Sequence, residues 1–396
     1  MNANQRFVIS SLLLSFVFLG CLFALLYVYD PLQLYHKPYF RETTFFNEMR
    51  IQDKGIIRNY DFNSFILGSS MFANTSAKEA DEKIRFYNQL AISDNSIIKR
   101  RGGGIENKFN KWVNITVIGG TFNERAVIMR YLFRTKEVRH LVYSIDFTIL
   151  GTNDTSSFEF LYDDNEINDL KLYINETYIL CALTFSTREK CVGKDKNLDT
   201  LTNWAIHYQD SLGGIRNWLP HRDNKPINDT LTKLENITTI SPYKIEPFDG
   251  SIESEQKNIR DNILYFTRKY PNTHFHLIIP TYSKLFYQLE PSAFYAQIKT
   301  ILKWLVLETQ NLPNVKIYGF DDLDYANDIA SYIDATHYNV DMNSMQLDAI
   351  ANGTHILTPE NIDEYLQTME NKIKAYDLAP LIQEIKEWEK NQNDKK

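Results

Sequence analysis

Two segments of the sequence carry side chains whose types and spacing suit a catalytic serine site. Ser70 follows an apolar run that ends in Gly68 and Ser69, so it lies at a turn after a predicted strand. Asp334 precedes His337 by three residues, and this spacing lets a carboxylate hold one imidazole nitrogen while the other takes a proton from a serine. A serine nucleophile, a histidine base and an orienting acid are the groups that acyl transfer requires.

Each of these segments also has a purely structural interpretation. A Gly-Ser-Ser sequence is favoured at any tight turn or helix cap, and a single histidine is often structural or merely exposed. The same choice applies to Gly119 and Gly120, which follow a second apolar run. They could supply backbone N–H donors for a developing oxyanion, or could simply form a turn between a strand and a helix.

The candidate residues follow predicted strands in an alternating strand–helix pattern. Strands are predicted at 62–68, 112–120, 140–146, 274–280 and 314–320, and helices at 123–136, 253–271 and 291–310. This alternation predicts an α/β fold, with a parallel sheet and helices on both of its faces. Ligand sites of such sheets lie beyond the carboxyl ends of the strands, where the candidate residues lie.

The N-terminal segment predicts a membrane anchor. The 22 residues from Phe7 to Val28 contain no charge, which is enough helix to cross a hydrocarbon layer of roughly 30 Å. The alternative is a cleaved signal peptide, but its apolar region is normally shorter and ends in a small-residue cleavage site. We therefore expect an uncleaved transmembrane anchor at 1–29 and a juxtamembrane segment at 30–60. The anchor would cross the inner (cytoplasmic) membrane once, with the N-terminus on the cytoplasmic side and the body in the periplasm or another extracytoplasmic space.

Three cysteines bear on the compartment. Cys21 lies in the predicted anchor, which leaves Cys181 and Cys191 as a pair ten residues apart. In an oxidising compartment such a pair predicts a disulfide that closes a short loop, with two free thiols as the alternative. A zinc site would need more ligands, and no histidine lies nearby in the sequence.

Composition and charge exclude other functional classes. The 396 residues include 43 Lys and Arg against 50 Asp and Glu, a net charge of -7, which argues against a nucleic-acid-binding protein. The basic run at 100–104 lacks the Lys-Ser/Thr of a phosphate-binding loop, which argues against a nucleotide-binding site. We predict no cofactor and no metal.

Residues 152–252 are polar and break the strand–helix alternation, which predicts an inserted cap on the sheet domain.

Three blocks of the chain resemble sequence blocks of the SGNH, or GDSL-like, hydrolase superfamily. They are Gly68-Ser69-Ser70, Gly119-Gly120 and Asp334-x-x-His337. With the N-terminal anchor, they further resemble the cell-envelope branch of that superfamily, which includes the D-alanyl-lipoteichoic acid transfer protein and the alginate O-acetylation proteins. The resemblance covers about 62–350 apart from the insert. It implies a flavodoxin-like three-layer sandwich over 61–355, followed by a helical tail at 356–396.

The resemblance also implies roles for individual residues. Ser70 would be the nucleophile, His337 the general base and Asp334 the orienting acid. Ser69 stands where the hydrolase motif has Asp, a departure that the envelope branch shares. The oxyanion donors would be the backbone N–H groups of Ser70 and Gly120.

The third block of the family, Gly-x-Asn-Asp, has two candidate positions for its functional residue. Gly151-Thr152-Asn153-Asp154 matches the letters, which would make Asn153 a further oxyanion donor. This match lies five residues beyond Asp146, where the predicted strand ends. Asp146 is therefore the alternative residue for that corner of the site.

Two functions are consistent with these blocks. The resemblance implies an acyltransferase or esterase that needs no cofactor and acts on O-acyl groups of a cell-envelope glycan. Anchored relatives of this type act beside multipass membrane O-acyltransferases. The alternative is a non-catalytic carbohydrate-binding or envelope-assembly protein that keeps the fold. In that case Trp204, Tyr208 and Trp218 of the insert could stack on sugars, although they could equally pack in a core.

Overall fold

The computed structural model of the chain describes residues 3–84, 111–150 and 157–394. Within these residues, six strands form one sheet in the order β2-β1-β3-β4-β5-β6. The strands are β1 (Ser64–Leu67), β2 (Trp112–Asn114), β3 (His140–Ser144), β4 (His274–Ile278), β5 (Val315–Tyr318) and β6 (Ile356–Leu357). The first five are mutually parallel, and β6 pairs antiparallel with β5. The protein is therefore a mixed α/β protein with a mostly parallel sheet, as the alternation predicts.

Helices account for most of the rest of the described chain. They are α1 (Ala3–Tyr29), α2 (Met49–Asn59), α3 (Phe122–Thr135), α4 (Glu176–Leu183), α5 (Glu189–Val192), α6 (Ile215–Trp218), α7 (Lys225–Glu235), α8 (Glu253–Ile259), α9 (Tyr265–Lys269), α10 (Lys284–Leu289), α11 (Phe294–Thr309), α12 (Val340–Asn352), α13 (Ile362–Ala375) and α14 (Ala379–Asn393). A π-helical segment, Arg260–Leu264, joins α8 to α9, so the predicted helix at 253–271 has an irregular turn in its middle. Residues 77–84 are also helical.

The centre of the sheet is apolar because both of its faces are covered. Phe65 of β1 lies opposite Val113 of β2 on one side and Leu141 of β3 on the other. Leu141 in turn lies opposite Phe275 of β4, and all four of these side chains are buried. The consecutive residues Phe65, Ile66 and Leu67 of β1 are also all buried, and such continuous apolar runs are characteristic of parallel strands that carry helices on both faces.

The predicted strand at 112–120 ends early for a local reason. The side chain of Asn114 accepts from the backbone N–H of Thr116 at 2.9 Å, which ends the regular strand. The chain still runs beside β1 as far as Val117, whose N–H donates to the Gly68 carbonyl at 3.1 Å. Gly119 then turns it with a φ of +65°, in the left-handed region that favours glycine.

The C-terminal residues belong to the sheet domain, which differs from the predicted boundary at 355/356. The two residues of β6 pair with Ile317 and Tyr318 of β5, and α13 packs against α10 and α11. The sequence pattern misses β6 because a two-residue edge strand has no periodicity of its own.

Helix α1 is the one described helix that is long and apolar enough to cross a membrane, with a mean hydropathy of 2.5 over its most apolar window. Its position near the N-terminus fits a transmembrane or a signal anchor. The C-terminal end of α1 is part of the body, because Leu26 and Tyr29 are buried there. The helix therefore does not end in a free linker.

The described part of the insert consists of helices and turns. A disulfide joins Cys181 of α4 to Cys191 of α5, with 5.7 Å between their Cα atoms, as the spacing predicts. Both cysteines are buried, whereas Cys21 of α1 is free and exposed. Helix α4 packs against α1, and later residues of the insert reach the turn after β1.

Candidate active site

The turn after β1 and the loop after β5 bring Ser70, His337 and Asp334 into one hydrogen-bonded row. Ser70 Oγ lies 2.8 Å from His337 Nε2, and His337 Nδ1 lies 2.7 Å from Asp334 Oδ2. The serine and the imidazole are partly exposed, whereas the carboxylate is buried. The three side chains thus have the order and the spacing that a nucleophile, a base and an orienting acid need.

The carboxylate of Asp334 orders its own loop as well as the imidazole. Its Oδ1 atom accepts from the backbone N–H groups of Thr336 and His337, at 2.7 and 2.9 Å, and from the Thr336 hydroxyl at 2.9 Å. The loop is closed by a bond from the Ile333 N–H to the His337 carbonyl at 3.0 Å. One carboxylate oxygen therefore fixes the backbone while the other holds the ring.

Electrostatics inside this loop favour a charged acid–base pair. Burial by itself raises the pKa of Asp334, but the charge of His337 and the bonds from His337 and Thr336 bring that pKa below its usual value. Burial by itself lowers the pKa of His337, but the charge and hydrogen bond of Asp334 bring it above its usual value. The loop therefore stabilises the imidazolium that forms when His337 takes a proton.

Close packing dictates the sequence of the turn that presents Ser70. A Cβ at Gly68 would lie 2.7 Å from Ser144 Oγ and 2.9 Å from Phe72 Cβ, so this position has room only for glycine. Ser69 caps the short 3₁₀ turn that follows, and its hydroxyl accepts from the Met71 N–H at 3.4 Å. Among the described residues, none accepts a hydrogen bond from the Ser70 N–H, so within that part of the chain this donor is available to an anion beside the Ser70 hydroxyl.

A buried ion pair helps to hold this turn against β3 and α3. Arg125 of α3 and Asp146, just after β3, lie 3.0 Å apart and are both almost fully buried. Asp146 also accepts from the hydroxyls of Ser69 and Ser144, each at 2.6 Å. Asp146 thus clamps β1, β3 and α3 together.

This clamp bears on the third-block corner and on the residue at position 69. Asp146 is an acceptor with both of its oxygens engaged, so it does not supply the donor expected at the third-block corner. The other candidate, Asn153, lies outside the described residues. The clamp also disfavours an acid at position 69, because its carboxylate would face that of Asp146.

Gly120 does not serve as the expected oxyanion donor. Its N–H donates to the Val117 carbonyl at 2.8 Å, and a Cβ at this position would lie 2.8 Å from the Val117 side chain. Thr121 then caps α3 in a reciprocal box with Glu124. The two glycines are therefore turn residues, which is the structural interpretation of this block.

Two asparagines hold the turn that contains Ser70 from its other sides. The side-chain amide of Asn343 in α12 donates to the Met71 carbonyl at 3.0 Å. The amide of Asn114 in β2 donates to the carbonyls of Phe72 and Thr75, at 2.8 and 2.9 Å. The position of Ser70 is thus fixed by hydrogen bonds from separate elements.

The insert contributes an aromatic wall to the site. Trp204 donates its indole N–H to the Ser70 carbonyl at 2.8 Å, and its ring meets that of His337 edge-on, with 5.2 Å between centroids. Tyr208 lies beside Trp204 and is partly exposed. Trp218 is fully buried and donates to the Tyr332 carbonyl, so it packs in the core rather than lining a surface.

The described residues contain no group of three or more His, Cys, Asp or Glu side chains that could hold a metal ion. No protein-family model matches the chain, and no curated protein matches its sequence.

Proposed function

We propose that this chain is a membrane-anchored, extracytoplasmic serine esterase or O-acyltransferase of the SGNH type. It acts on O-acyl groups of a cell-envelope glycan. The observation that carries the proposal is the row from Ser70 Oγ through His337 to Asp334, with spacings of 2.8 and 2.7 Å. This geometry suits acyl transfer, and packing alone gives no reason for three polar side chains from two distant segments to adopt it.

The chain's own residues account for each proton in the reaction. Ser70 Oγ attacks the carbonyl carbon of the acyl donor while its proton passes to His337 Nε2. Asp334 stabilises the imidazolium, and the Ser70 N–H faces the developing oxyanion. The C–O or C–S bond to the leaving group breaks, and that group takes the proton from His337.

A second half-reaction returns the serine to its starting state. A sugar hydroxyl or a water molecule loses its proton to His337 and attacks the acyl-serine carbonyl. The bond to Ser70 Oγ breaks, and the serine recovers its proton from the imidazolium. A hydroxyl acceptor gives transfer and water gives hydrolysis, through the same three residues.

The topology supports the finer fold assignment. The order β2-β1-β3-β4-β5 of the parallel strands is the order of flavodoxin-like folds, which place their ligands at the carboxyl ends of the strands. Ser70 follows β1, and the Asp334–His337 loop follows β5. We infer a flavodoxin-like three-layer sandwich of the SGNH type, in which the insert forms one wall of the site.

Other features of the molecule support the compartment and the substrate class. The Cys181–Cys191 disulfide fits an oxidising space outside the cytoplasm, and α1 fits a single-pass anchor whose N-terminus is inside. Partly exposed rings of Trp204 and Tyr208 beside the imidazole suit the apolar faces of sugar rings. A multipass membrane O-acyltransferase is the proposed source of acyl groups.

Labelling with a fluorophosphonate probe tests this function on the purified full-length protein. The probe should label the wild-type protein, whereas Ser70→Ala should remain unlabelled and His337→Ala should label very slowly. Ser292→Ala is the matched control, because Ser292 is a partly exposed serine that donates to Glu246, and this variant should label like wild type. A wild-type protein that resists the probe would overturn the catalytic proposal in favour of a carbohydrate-binding protein.

A further inference from the structure

Exposed apolar side chains surround the point where α1 enters the body. Tyr39, Phe40 and Phe185 line a small cleft with Val28, near the C-terminal end of α1. Their rings are in contact, because Phe40 meets both Tyr39 and Phe185 edge-on at 6.1 and 6.2 Å between centroids. Each of these three rings nevertheless has half or more of its surface exposed.

Helix α4 extends this apolar surface along the side of α1. It packs against α1 and leaves Leu180 and Leu183 each more than half exposed. The Cys181–Cys191 disulfide joins α4 to α5 and so helps to hold these two leucines in position. We call the five residues Tyr39, Phe40, Leu180, Leu183 and Phe185 the collar.

Hydrogen bonds fix the position of the collar along the axis of α1. Asp30, directly after α1, is buried, and its carboxylate accepts from the backbone N–H groups of Leu34, Tyr35 and His36 at 2.8–2.9 Å. It also accepts from the Tyr173 hydroxyl at 2.5 Å, which ties the end of the helix to the insert. The body therefore cannot swing away from the helix as it would on a flexible linker.

A second set of bonds joins the end of α1 directly to the segments that carry the collar. Arg41, next to Phe40, donates to the carbonyls of Asp30 and Pro31 at 3.3 and 3.0 Å. The Tyr29 hydroxyl donates to the carbonyl of Ser186, next to Phe185, at 2.6 Å. Collar and helix end thus form one unit.

The length of the apolar run sets the depth at which the collar would lie in a bilayer. The charge-free residues from Phe7 to Val28 span roughly 30 Å of hydrocarbon, so Val28 lies at its boundary. Val28 lines the same cleft as Tyr39 and Phe40. The collar therefore lies at the level of the membrane–water interface, where aromatic side chains are favoured.

We propose that the collar is a membrane-contact surface that inserts into the outer interface of the bilayer. The body then contacts the bilayer surface directly instead of being held away from it by α1. This proposal rests on the transmembrane role of α1 proposed above. Lipid is the occupant because the collar is continuous with the exposed apolar surface of α1, and a bilayer that this helix spans would place its headgroups around the end of the helix.

Spin labelling of the full-length protein in nanodiscs of phosphatidylethanolamine and phosphatidylglycerol tests the proposal. A nitroxide is attached at Phe40→Cys in a Cys21→Ser background, and Tyr39→Cys is the second variant in case the first folds poorly. Leu307→Cys is the matched control, since Leu307 is a half-exposed apolar residue on α11. Phe18→Cys, in the middle of α1, reports whether that helix is inserted.

The readout is the rate of collision with an aqueous nickel chelate relative to dissolved oxygen. We expect a severalfold lower ratio at residues 39 and 40 than at residue 307, and the lowest ratio at residue 18. Equal nickel access at residues 40 and 307, with residue 18 shielded, would overturn the collar proposal and leave the anchor standing. Nickel access at residue 18 as well would overturn the anchor itself.

Discussion

The indole N–H of Trp204 donates to the main-chain carbonyl oxygen of Ser70, which lies 134 residues earlier in the chain. The same indole lies edge-on to the imidazole of His337. One side chain of the insert therefore contacts both the residue proposed as nucleophile and the residue proposed as base. The insert is part of the site and cannot be removed as an independent cap.

Trp204→Phe should slow the reaction of Ser70 while the fold stays intact. The substitution keeps an aromatic ring but removes the N–H that holds the Ser70 carbonyl. From the other described residues, this carbonyl receives one long bond, from the Ala73 N–H at 3.3 Å. One neutral hydrogen bond is worth about 1 kcal/mol, which corresponds to a roughly fivefold lower rate constant for fluorophosphonate labelling. Trp304→Phe, on α11, is the control and should label at the wild-type rate. A Trp204→Phe protein that labels as fast as wild type would contradict this role.

Ser69→Asp should destabilise the protein, although Asp is the residue that the hydrolase motif has at this position. The new carboxylate would face Asp146, whose Oδ1 lies 2.6 Å from Ser69 Oγ, in a buried cluster with the single cation Arg125. Two carboxylates in one buried site raise the pKa of one of them in the folded state. We expect a loss of about 3 kcal/mol in the free energy of unfolding at neutral pH.

The sign of its pH dependence distinguishes charge repulsion from crowding. Because the folded-state pKa of the pair is raised, protonation relieves the repulsion, and the loss in Ser69→Asp should shrink as the pH falls towards 5. Ser69→Asn has a similar volume without the charge, so its loss should stay constant over the same range. Urea denaturation of both variants at several pH values measures the difference. Parallel curves for the two variants would show that repulsion is not the cause.

The general position of the site could be predicted from local sequence patterns. Ser70 directly follows an apolar run, and His337 lies in the loop after the last predicted strand. Because the carboxyl ends of parallel strands meet at one edge of a sheet, the topology allows these two residues to meet. Asp334 was predictable because it is local to His337, three residues away. Geometry of this kind depends on strand order and short spacings, which a sequence displays.

The supporting residues of the site could not be predicted in the same way. Arg125 reads as an ordinary polar position on α3, and only the folded structure shows that its guanidinium is buried against Asp146. Trp204 lies in a segment without periodicity, so nothing local indicates its contact with Ser70. Gly120 failed as an oxyanion donor because a glycine pair has the same sequence signature in a turn as in a catalytic loop.

Removal of the disulfide should loosen α4 and α5 without abolishing the chemistry. The Cys181–Cys191 bond closes a short loop, which is worth about 2–3 kcal/mol on the chain-entropy estimate. Cys181→Ala/Cys191→Ala should therefore have a lower thermal midpoint than wild type, and reductant should lower the wild-type midpoint but not that of the variant. Its fluorophosphonate labelling at 25 °C should persist, because neither cysteine contacts Ser70 or His337. Loss of labelling in a folded variant would show that the disulfide shapes the site directly.

The reaction rate of Ser70 should rise with pH through a midpoint above the ordinary histidine pKa of about 6.5. His337 must be neutral to take the serine proton. Burial lowers its pKa, but the charge and hydrogen bond of Asp334 raise it further, so the net pKa lies above the usual value. Asp334→Asn removes the raising influence and keeps the burial, so the midpoint should move to lower pH. The plateau rate of this variant should also fall by at least about a hundredfold, because the amide no longer stabilises the imidazolium.

Labelling rates measured between pH 5 and 9 for wild type, Asp334→Asn and Ser70→Ala test this pH dependence. Asp334→Asn should retain a measurable rate above that of Ser70→Ala, since the nucleophile and base remain in place at 2.8 Å. Asp328→Asn is the matched control, because Asp328 is a nearby acid that caps a separate turn, and its profile should match wild type. An unchanged midpoint in Asp334→Asn would mean that this carboxylate does not set the basicity of His337, and the assigned role of Asp334 would then be wrong.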